Sequence, residues 1–121
     1  MAVFAEDQNF DEKMHMTTTL LAGEVRAIVM LIPPGTVATY GDIAQMLDVG
    51  PRQVGRAMGM LDDDIPWYRV VNANGTPASC HDGQARGLLG AEATPMIGSR
   101  VDMRLARWDF HSRSMLEVAD G

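Results

Sequence analysis

Apolar residues near the start of the chain recur every three or four positions: Leu21, Val25, Ile28 and Ile32. That spacing places them on one face of an α-helix, so we expect this segment to pack an apolar stripe onto a core. Three threonines at 17–19 can cap the N-terminus of the helix. The sequence Pro33-Pro34-Gly35 then ends it, because proline cannot continue a helix.

Two shorter helices are predicted after a brief extended segment at 36–39, which is rich in β-branched residues. The first runs from Gly41 to Leu47, with Asp42 near its positive N-terminal end. The second covers 51–61 and starts with proline, which suits the first helical position. The residues expected to face inward on it are Val54, Met58 and Leu61. Two short helices joined by a tight glycine turn indicate a helix-turn-helix.

The second half of the chain carries the signals for strands and a further helix. Arg69-Val70-Val71 predicts a strand and Asn74-Gly75 a hairpin turn, so a wing should follow the helix-turn-helix. Another helix is expected from Gln84 to Glu92, and the alternating residues 100–105, with Trp108, should fold back onto the domain. The pattern predicts an α+β, mostly helical, winged-helix-like domain with a helix-turn-helix and a small β-hairpin wing.

The composition fits one domain, since 121 residues of which 46% are hydrophobic can form a modest core. A net charge of −6 argues against a nucleic-acid partner, but the acids concentrate at the two ends. Residues 1–16 hold four acids against one lysine, and residues 109–121 hold three acids against one arginine. We expect a flexible acidic arm at 1–16, a folded domain at 17–108 and a flexible tail at 109–121. A near-neutral domain of this kind could bind a nucleic acid only through local arginines and shape.

Several classes of protein are excluded by composition. The single cysteine, Cys80, rules out an intrachain disulfide framework and fits a reducing compartment. No apolar run reaches the length of a membrane span, and the N-terminus lacks the apolar segment of a signal peptide. We expect a cytoplasmic monomer without a membrane partner. His15, His81, His111 and Cys80 lack metal-ligand spacing, and there is no cofactor fingerprint, so we expect neither metal nor cofactor.

Three motifs occur in order: Val37-Ala38-Thr39-Tyr40-Gly41-Asp42-Ile43-Ala44, Arg52-Gln53-Val54-Gly55-Arg56-Ala57-Met58 and Pro66-Trp67-Tyr68-Arg69-Val70-Val71. Together they resemble the DNA-binding domain of the O6-alkylguanine-DNA alkyltransferases, over roughly residues 18–92. In that family the tetrapeptide reads Pro-Cys-His-Arg, and its cysteine thiolate takes the alkyl group from guanine. Trp67 offers no thiolate, so transfer cannot run at that position. The chain is similar to the alkyltransferase-like proteins, which bind alkylated DNA without repairing it.

The resemblance implies five DNA-binding residues: Tyr40, Arg52, Gln53, Arg56 and Ala57. Arg52 matches the arginine that enters the duplex through the minor groove and fills the gap left by a flipped base, which a stacking guanidinium can do. Tyr40 matches the tyrosine that crowds the target phosphate and rotates the nucleotide outward. Small residues on the third helix let its backbone approach a groove. The alternatives are a solvated arginine, a tyrosine packed between helices, and small residues that serve helix packing.

The resemblance also implies a lesion pocket formed by Pro66, Trp67, Tyr68, Arg69, Val70 and Cys80. Trp67 is expected to be a flat wall for the alkylated base, the alternative being an ordinary core residue. Arg69 matches an arginine that supports the loop. Tyr68 stands where even the alkyltransferase-like proteins have histidine, so Glu92, which matches the glutamate that assists that histidine, is expected to be structural. The family's Asn-Pro hinge is missing, and a solvated acidic loop at 62–64 stands nearby.

We therefore expect non-enzymatic recognition of O6-alkylguanine in double-stranded DNA, by minor-groove binding and nucleotide flipping. The resemblance further implies that the lesion is flagged for nucleotide excision repair proteins. One alternative is a residual alkyltransferase that uses Cys80, although sequence neighbours such as Cys80 and His81 rarely meet as nucleophile and base. Another is a winged-helix DNA-binding regulator without a lesion pocket.

Overall fold

The computed structural model describes residues 19–109. Within them the first helix, α1, spans 19–31 and buries the predicted apolar stripe, which confirms the helical spacing. Ala22 and Val29 join that buried face. The helix ends before Pro33, as predicted. The caps predicted at Thr17 and Thr18, the acidic arm at 1–16 and most of the tail at 109–121 lie outside the described residues.

The helix-turn-helix consists of α2 (Tyr40–Leu47) and α3 (Pro51–Met58). Thr39 caps α2: its hydroxyl accepts the Asp42 N–H at 2.9 Å, and the Asp42 carboxylate accepts the Thr39 N–H at 3.1 Å. The third helix is shorter than the predicted 51–61. Gly59 follows Met58, and the chain tightens into a turn in which the Met60 N–H donates to the Ala57 carbonyl at 3.0 Å.

The sheet pairing differs from the predicted hairpin. Strand β1 (Ala38–Thr39) pairs in parallel with β2 (Val70–Val71), with Ala38 beside Val70 and Thr39 beside Val71. Asn74-Gly75 does form a turn, closed by a 3.0 Å hydrogen bond from the Asn72 N–H to the Thr76 carbonyl, but β2 does not return through it. Both valines are wholly buried, which suits a strand covered on two faces and not the solvated edge of a wing.

The antiparallel pair of the described chain lies further on, between β3 (Met96–Ile97) and β4 (Arg100–Val101). Helix α4 (Ala85–Ala91) precedes it, inside the predicted 84–92. The alternation at 100–105 does not continue as a strand, because Asp102 caps a short helix, α5 (Met103–Ala106), by accepting the Arg104 N–H at 3.0 Å.

Trp108 folds back onto the domain, as predicted. Its N–H donates to the Val37 carbonyl at 2.7 Å, and the residue is 9% exposed. Arg107 forms an ion pair with the buried Asp42 of α2. Burial alone would raise the pKa of Asp42, but the hydrogen bonds from Arg107 and Thr39 outweigh it and hold that pKa below its ordinary value. The end of the described chain is thereby fixed to the helix-turn-helix.

Two buried clusters meet at β2. Val70 belongs to the larger one, with the inner faces of α1, α2 and α3, and Val71 belongs to a smaller one with Leu89 and Val101. Successive residues of a strand point to opposite faces, so Val70 packs into one cluster and Val71 into the other. The expected α+β, mostly helical fold is confirmed. Among the described residues, no helix combines the length and the apolar character needed to cross a membrane.

Candidate nucleic-acid interface

An exposed basic pair lies on α3. Arg52 and Arg56 are four residues apart, so they share one face of the helix, and both are exposed. Within residues 19–109 neither of them forms an ion pair. Like charges at this spacing destabilise a helix by about 0.2–0.5 kcal/mol, a cost that an anionic partner on this face removes. The pair is suited to phosphate groups.

The neighbouring predicted residues on α3 are placed differently. Gln53 is exposed, but its Oε1 atom accepts the Gly50 N–H at 2.8 Å and so caps the start of the helix. Ala57 is wholly buried among core residues, so its side chain cannot contact DNA and serves helix packing. The prediction of a DNA contact for Ala57 is wrong at the level of the side chain. Gly55 is exposed, with open space where a Cβ atom would stand.

Tyr40 stands between the helix-turn-helix and the tetrapeptide. It is the first residue of α2, directly after β1, and it is half-buried against the larger core cluster. Burial, and secondly the charge of the nearby Cys80, raise the pKa of its hydroxyl. The hydroxyl therefore stays protonated at neutral pH. Tyr40 packs against the core and lies near Cys80, and its contact with a target phosphate stays a prediction.

The ring of Trp67 is covered on one face by His81. Their ring centroids are 3.9 Å apart and their planes differ by 18°, which is a stacked arrangement. The Tyr68 ring meets the indole edge-on, at 5.7 Å and 86°. Trp67 itself is 7% exposed and belongs to the larger core cluster. The indole is thus largely buried with an imidazole lying on one face, and its role as a pocket wall stays a prediction.

The carboxylate of Glu92 holds the tetrapeptide in place. Glu92, just after α4, accepts the Tyr68 hydroxyl at 2.6 Å, the Arg69 Nε at 3.0 Å and the Gly35 N–H at 3.4 Å. A further guanidinium nitrogen of Arg69 also donates to it. We call Tyr68, Arg69 and Glu92 the Glu92 network. Its side chains have the structural role that the sequence predicted for Glu92.

The same network shifts the titration of its members. The hydrogen bond from Arg69 holds the pKa of Glu92 below its ordinary range, while the pKa of Arg69 is raised by the carboxylate. Burial, and then the hydrogen bond to Glu92, raise the pKa of Tyr68. Arg69 also donates to the Ile32 carbonyl at the end of α1, at 2.8 Å. The arginine therefore supports the loop, and it cannot read bases from this position.

The remaining residues of the predicted pocket are divided between three places. Pro66, Tyr68 and Arg69 line an open surface cleft of about 370 Å³; its other lining residues are Met30, Asp63, Asp64 and Ile65. Val70 is wholly buried in β2, so in the free protein its side chain packs in the core, and its role as a pocket residue stays a prediction. Cys80 is exposed. The site therefore consists of the covered Trp67 ring, the fixed Glu92 network and the exposed loop that carries Cys80.

Asp63 and His81 are the residues that sequence reasoning missed. His81 Nε2 lies 2.5 Å from an Asp63 carboxylate oxygen, and its Nδ1 lies 3.0 Å from the Cys80 sulfur. Cys80 and His81 thus do meet, against the expectation for sequence neighbours, because Asp63 orients the imidazole. We call Asp63, Cys80 and His81 the His81 network. The adjacent Cys-His pair and the acidic loop were visible in the sequence, but the loop conformation that unites them was not.

The chemistry of a metal site is not found near these residues. Across the part of the chain that the structure describes, no group of three or more histidine, cysteine, aspartate or glutamate side chains could hold a metal ion. The site offers a stacking ring, a thiol with a histidine, and exposed guanidinium groups. Those are the means to hold a flat, electron-rich ligand beside an anionic backbone.

Comparison with known proteins gives the same picture. The family model of the 6-O-methylguanine DNA methyltransferase DNA-binding domain matches residues 21–94. A DNA base-flipping protein of Escherichia coli is 34% identical over 114 residues, covering 88% of each chain. Alkyltransferase-like protein 1 of Schizosaccharomyces pombe is 47% identical over 49 residues, covering 37% of this chain and 45% of the yeast protein.

Solved structures of the yeast protein are also similar to this fold. One of them is bound to damaged DNA containing O6-carboxymethylguanine, with a TM-score of 0.64 and 28% identity, covering 73% of this chain and 94% of that one. Another complex of the yeast protein with DNA has a TM-score of 0.66, again at 28% identity, covering 74% of this chain and 94% of that one. The family match at residues 21–94 includes both the helix-turn-helix and the tetrapeptide.

Proposed function

The chain belongs to the family of the 6-O-methylguanine DNA methyltransferase DNA-binding domain, and from this premise we propose that it recognises O6-alkylguanine in double-stranded DNA without repairing it. The observation that carries the proposal is the geometry at Trp67. A flat ring already lies on the indole at 3.9 Å, so this surface accepts a planar heterocycle. An everted guanine has that shape.

The DNA side of the proposal is supported by the exposed pair on α3. Arg52, in the first turn, fills the gap in the duplex, and Arg56, one turn later, contacts a phosphate group. Gln53 lies between them and contacts DNA only when it leaves the Gly50 N–H. Tyr40, half-buried and protonated, presses on the target phosphate and turns the nucleotide outward. One relative is named a DNA base-flipping protein, and a solved structure of another shows it in complex with damaged DNA, and both support this proposal.

The proposed contacts offset the free-energy cost of flipping the base out of the duplex. Removing a base from the stack costs a few kcal/mol, which the Arg52 guanidinium offsets by stacking in its place. A base on an aromatic side chain recovers about 1–3 kcal/mol. The Glu92 network keeps the tetrapeptide rigid while this happens, because its ion pair is mostly buried. An alkyl group on O6 adds apolar contact near the indole, which favours the lesion over plain guanine.

The absence of repair follows from the side chain at position 67. An indole has no ionisable sulfur, and the chain holds one cysteine, at position 80, outside the tetrapeptide. The protein is then a sensor, and its bound lesion is handed to nucleotide excision repair proteins. We place this sensor in the cytoplasm as a monomer, associated with the nucleoid in a bacterial cell.

Titration at fixed salt tests the proposal with two duplexes of one sequence, one containing a single O6-methylguanine and one unmodified. The wild type should bind the lesion duplex more tightly. Arg52→Ala should weaken lesion binding by about tenfold more than binding of the unmodified duplex, since a plug acts only on an everted base. Arg56→Ala is the matched variant one turn away and should weaken both duplexes alike. Equal affinity of the wild type for the two duplexes refutes the proposal.

A second candidate function rests on the His81 network. The Cys80 sulfur is within 3.0 Å of His81, whose other nitrogen is oriented by Asp63, an arrangement that can activate a thiol. In such a transfer His81 takes the thiol proton, an S–C bond to Cys80 forms as the C–O6 bond breaks, and the freed guanine takes up a proton. Intact-mass measurement after incubation with lesion duplex separates the functions. A methyl adduct that disappears in Cys80→Ser supports the enzyme, and an unchanged mass supports the sensor.

A further inference from the structure

The stacking surface of Trp67 is occupied in the free protein. With the His81 ring seated at 3.9 Å, the whole tryptophan is 7% exposed. An everted base therefore cannot reach the indole face unless a neighbouring group moves first. This argument deepens the proposed function and rests on it.

Of the two rings that contact Trp67, the Tyr68 ring is held firmly. Its hydroxyl donates to Glu92 at 2.6 Å, and Glu92 is bound in turn by Arg69, with side chains only 12% and 15% exposed in that ion pair. Moving Tyr68 would remove one hydrogen bond from the partly buried Glu92 carboxylate and would leave the tyrosine hydroxyl without its acceptor. The edge of this ring is a fixed boundary of the site.

The His81 ring is held by groups that water reaches. Its side chain is 29% exposed, and that of its partner Asp63 is 76% exposed. Its other neighbour, Cys80, is exposed as well. Solvent can replace both hydrogen bonds when the imidazole leaves, so little is lost beyond the stack itself.

The backbone under His81 is also suited to movement. His81, Asp82 and Gly83 have φ values of +58°, +56° and +74°, three successive residues in the left-handed region. Histidine and aspartate adopt that region more readily than most residues with a side chain, but it remains sparsely populated, so contacts help to hold them there. The stack on Trp67 and the contact with Asp63 are the contacts that hold His81. Once these are broken, the loop is free to relax.

The geometry points to His81 as a residue that sets the threshold for lesion binding. Its imidazole takes the place of the base on Trp67 in the free protein, and the everted guanine must displace it. A base enters only when its own contacts exceed those of the imidazole. Plain guanine, which lacks the alkyl contact and keeps its pairing in the duplex, does not displace the ring.

His81→Asn tests this directly, because asparagine tolerates a positive φ and is too short to cover the indole. By removing the competitor, it should raise affinity for the O6-methylguanine duplex about fivefold. Binding of the unmodified duplex, which occurs without eversion, should change by less than about twofold. Weaker lesion binding by His81→Asn would mean that the imidazole is a contact of the bound base, and it would overturn the inference.

Asp82→Asn provides the matched control. It lies next to His81 in the same loop, is exposed and shares the left-handed backbone. Loss of its negative charge should raise affinity for both duplexes alike, so its preference for the lesion duplex should equal that of the wild type. If it raises that preference as much as His81→Asn does, a change elsewhere in the loop is sufficient without removal of the covering ring, and the inference fails.

Nuclear magnetic resonance of the three histidines gives a signal that would not change on lesion binding if His81 had only a structural role. The His81 ring protons, identified by their loss in His81→Asn, should be shifted upfield by the indole in the free protein. Saturating lesion duplex should move them downfield, while unmodified duplex leaves them in place. Ring protons that stay upfield in the lesion complex show that His81 has not left, and contradict the inference.

The outcome also separates this inference from the function on which it rests. A wild type that fails to prefer the lesion duplex refutes both. A wild type that prefers it, together with a His81→Asn variant that binds it more weakly, refutes the role of His81 alone.

Discussion

The Glu92 network and the His81 network hold the same indole from two sides, and they differ in how much water reaches them. Both contain an aromatic ring against Trp67, a carboxylate and a third polar group. The ion pair of the first has side chains 12% and 15% exposed, while that of the second has side chains 29% and 76% exposed. A buried network is costly to break and an exposed one is cheap. The Glu92 network can therefore support the Trp67 ring, and the His81 ring can be displaced from it.

The largest effect should come from breaking the buried side. Glu92→Ala leaves the Arg69 guanidinium and the Tyr68 hydroxyl without their acceptor, so we expect a loss of about 3 kcal/mol in the free energy of unfolding. Urea denaturation at neutral pH measures it. A loss no larger than that of an exposed variant such as Asp64→Ala would abolish the distinction between the two networks.

Removing the shared ring should act next most strongly on binding. Trp67→Leu keeps an apolar side chain but deletes the stacking face, so lesion affinity should fall by about 1–3 kcal/mol. Trp108→Phe is the control, because Trp108 is the chain's other tryptophan and is buried against the Val37 backbone. It should lower stability while leaving lesion preference intact. Retained preference in Trp67→Leu would show that neither network surrounds the binding surface.

Acid should act mainly through the buried side. Arg69 lowers the pKa of Glu92 in the folded protein below its ordinary value of 4.5. In the acid range the folded state therefore binds fewer protons than the unfolded state, and its stability falls as the pH falls. The stabilisation is complete well above the ordinary pKa of 4.5, begins to decline as the pH approaches that value, and is lost as the pH falls through the folded pKa. Glu92→Gln should therefore flatten the decline of stability between about pH 6 and pH 3, with the part due to Asp42 remaining.

Urea midpoints of the wild type and Glu92→Gln across that range provide the measurement. Parallel curves for the two proteins would show that the ion pair contributes nothing to acid sensitivity, contrary to its burial.

The smallest effect belongs to the exposed side. Asp63→Asn removes the charge opposite His81 but keeps its size, so the free energy of unfolding should change by less than about 0.5 kcal/mol. The same urea titration at neutral pH compares it with Glu92→Gln. A loss as large as that of Glu92→Gln would mean that the His81 network is a support and not a replaceable cover.

How far the sequence could predict these two sides depends on the range of the interactions. The stripe of α1 and the helix-turn-helix follow from local spacing and capping, as at Thr39 and Asp42. The pairing of β2 with β1 does not, because parallel strands more than thirty residues apart leave no local signal. The sequence Asn74-Gly75 predicts a hairpin turn; a turn does form there, but β2 pairs with β1 and does not return through it.

The motifs single out Arg52, Tyr40 and Trp67 as candidate site residues, but membership of a motif does not show how deeply a residue is buried. Ala57 and Val70, which belong to the same motifs, are wholly buried in the free protein. His81 was missed as a covering ring because its position depends on three successive left-handed residues and on Asp63, eighteen positions earlier. Loop conformation of that kind depends on tertiary contacts that no local pattern encodes.

Native mass spectrometry of the protein mixed with equal amounts of lesion duplex and unmodified duplex tests recognition without repair most directly. The account predicts that the protein is found chiefly on the lesion duplex, with the methyl group still on the DNA and the mass of the protein unchanged. Equal occupancy of the two duplexes, or a methyl group transferred to the protein, would contradict it.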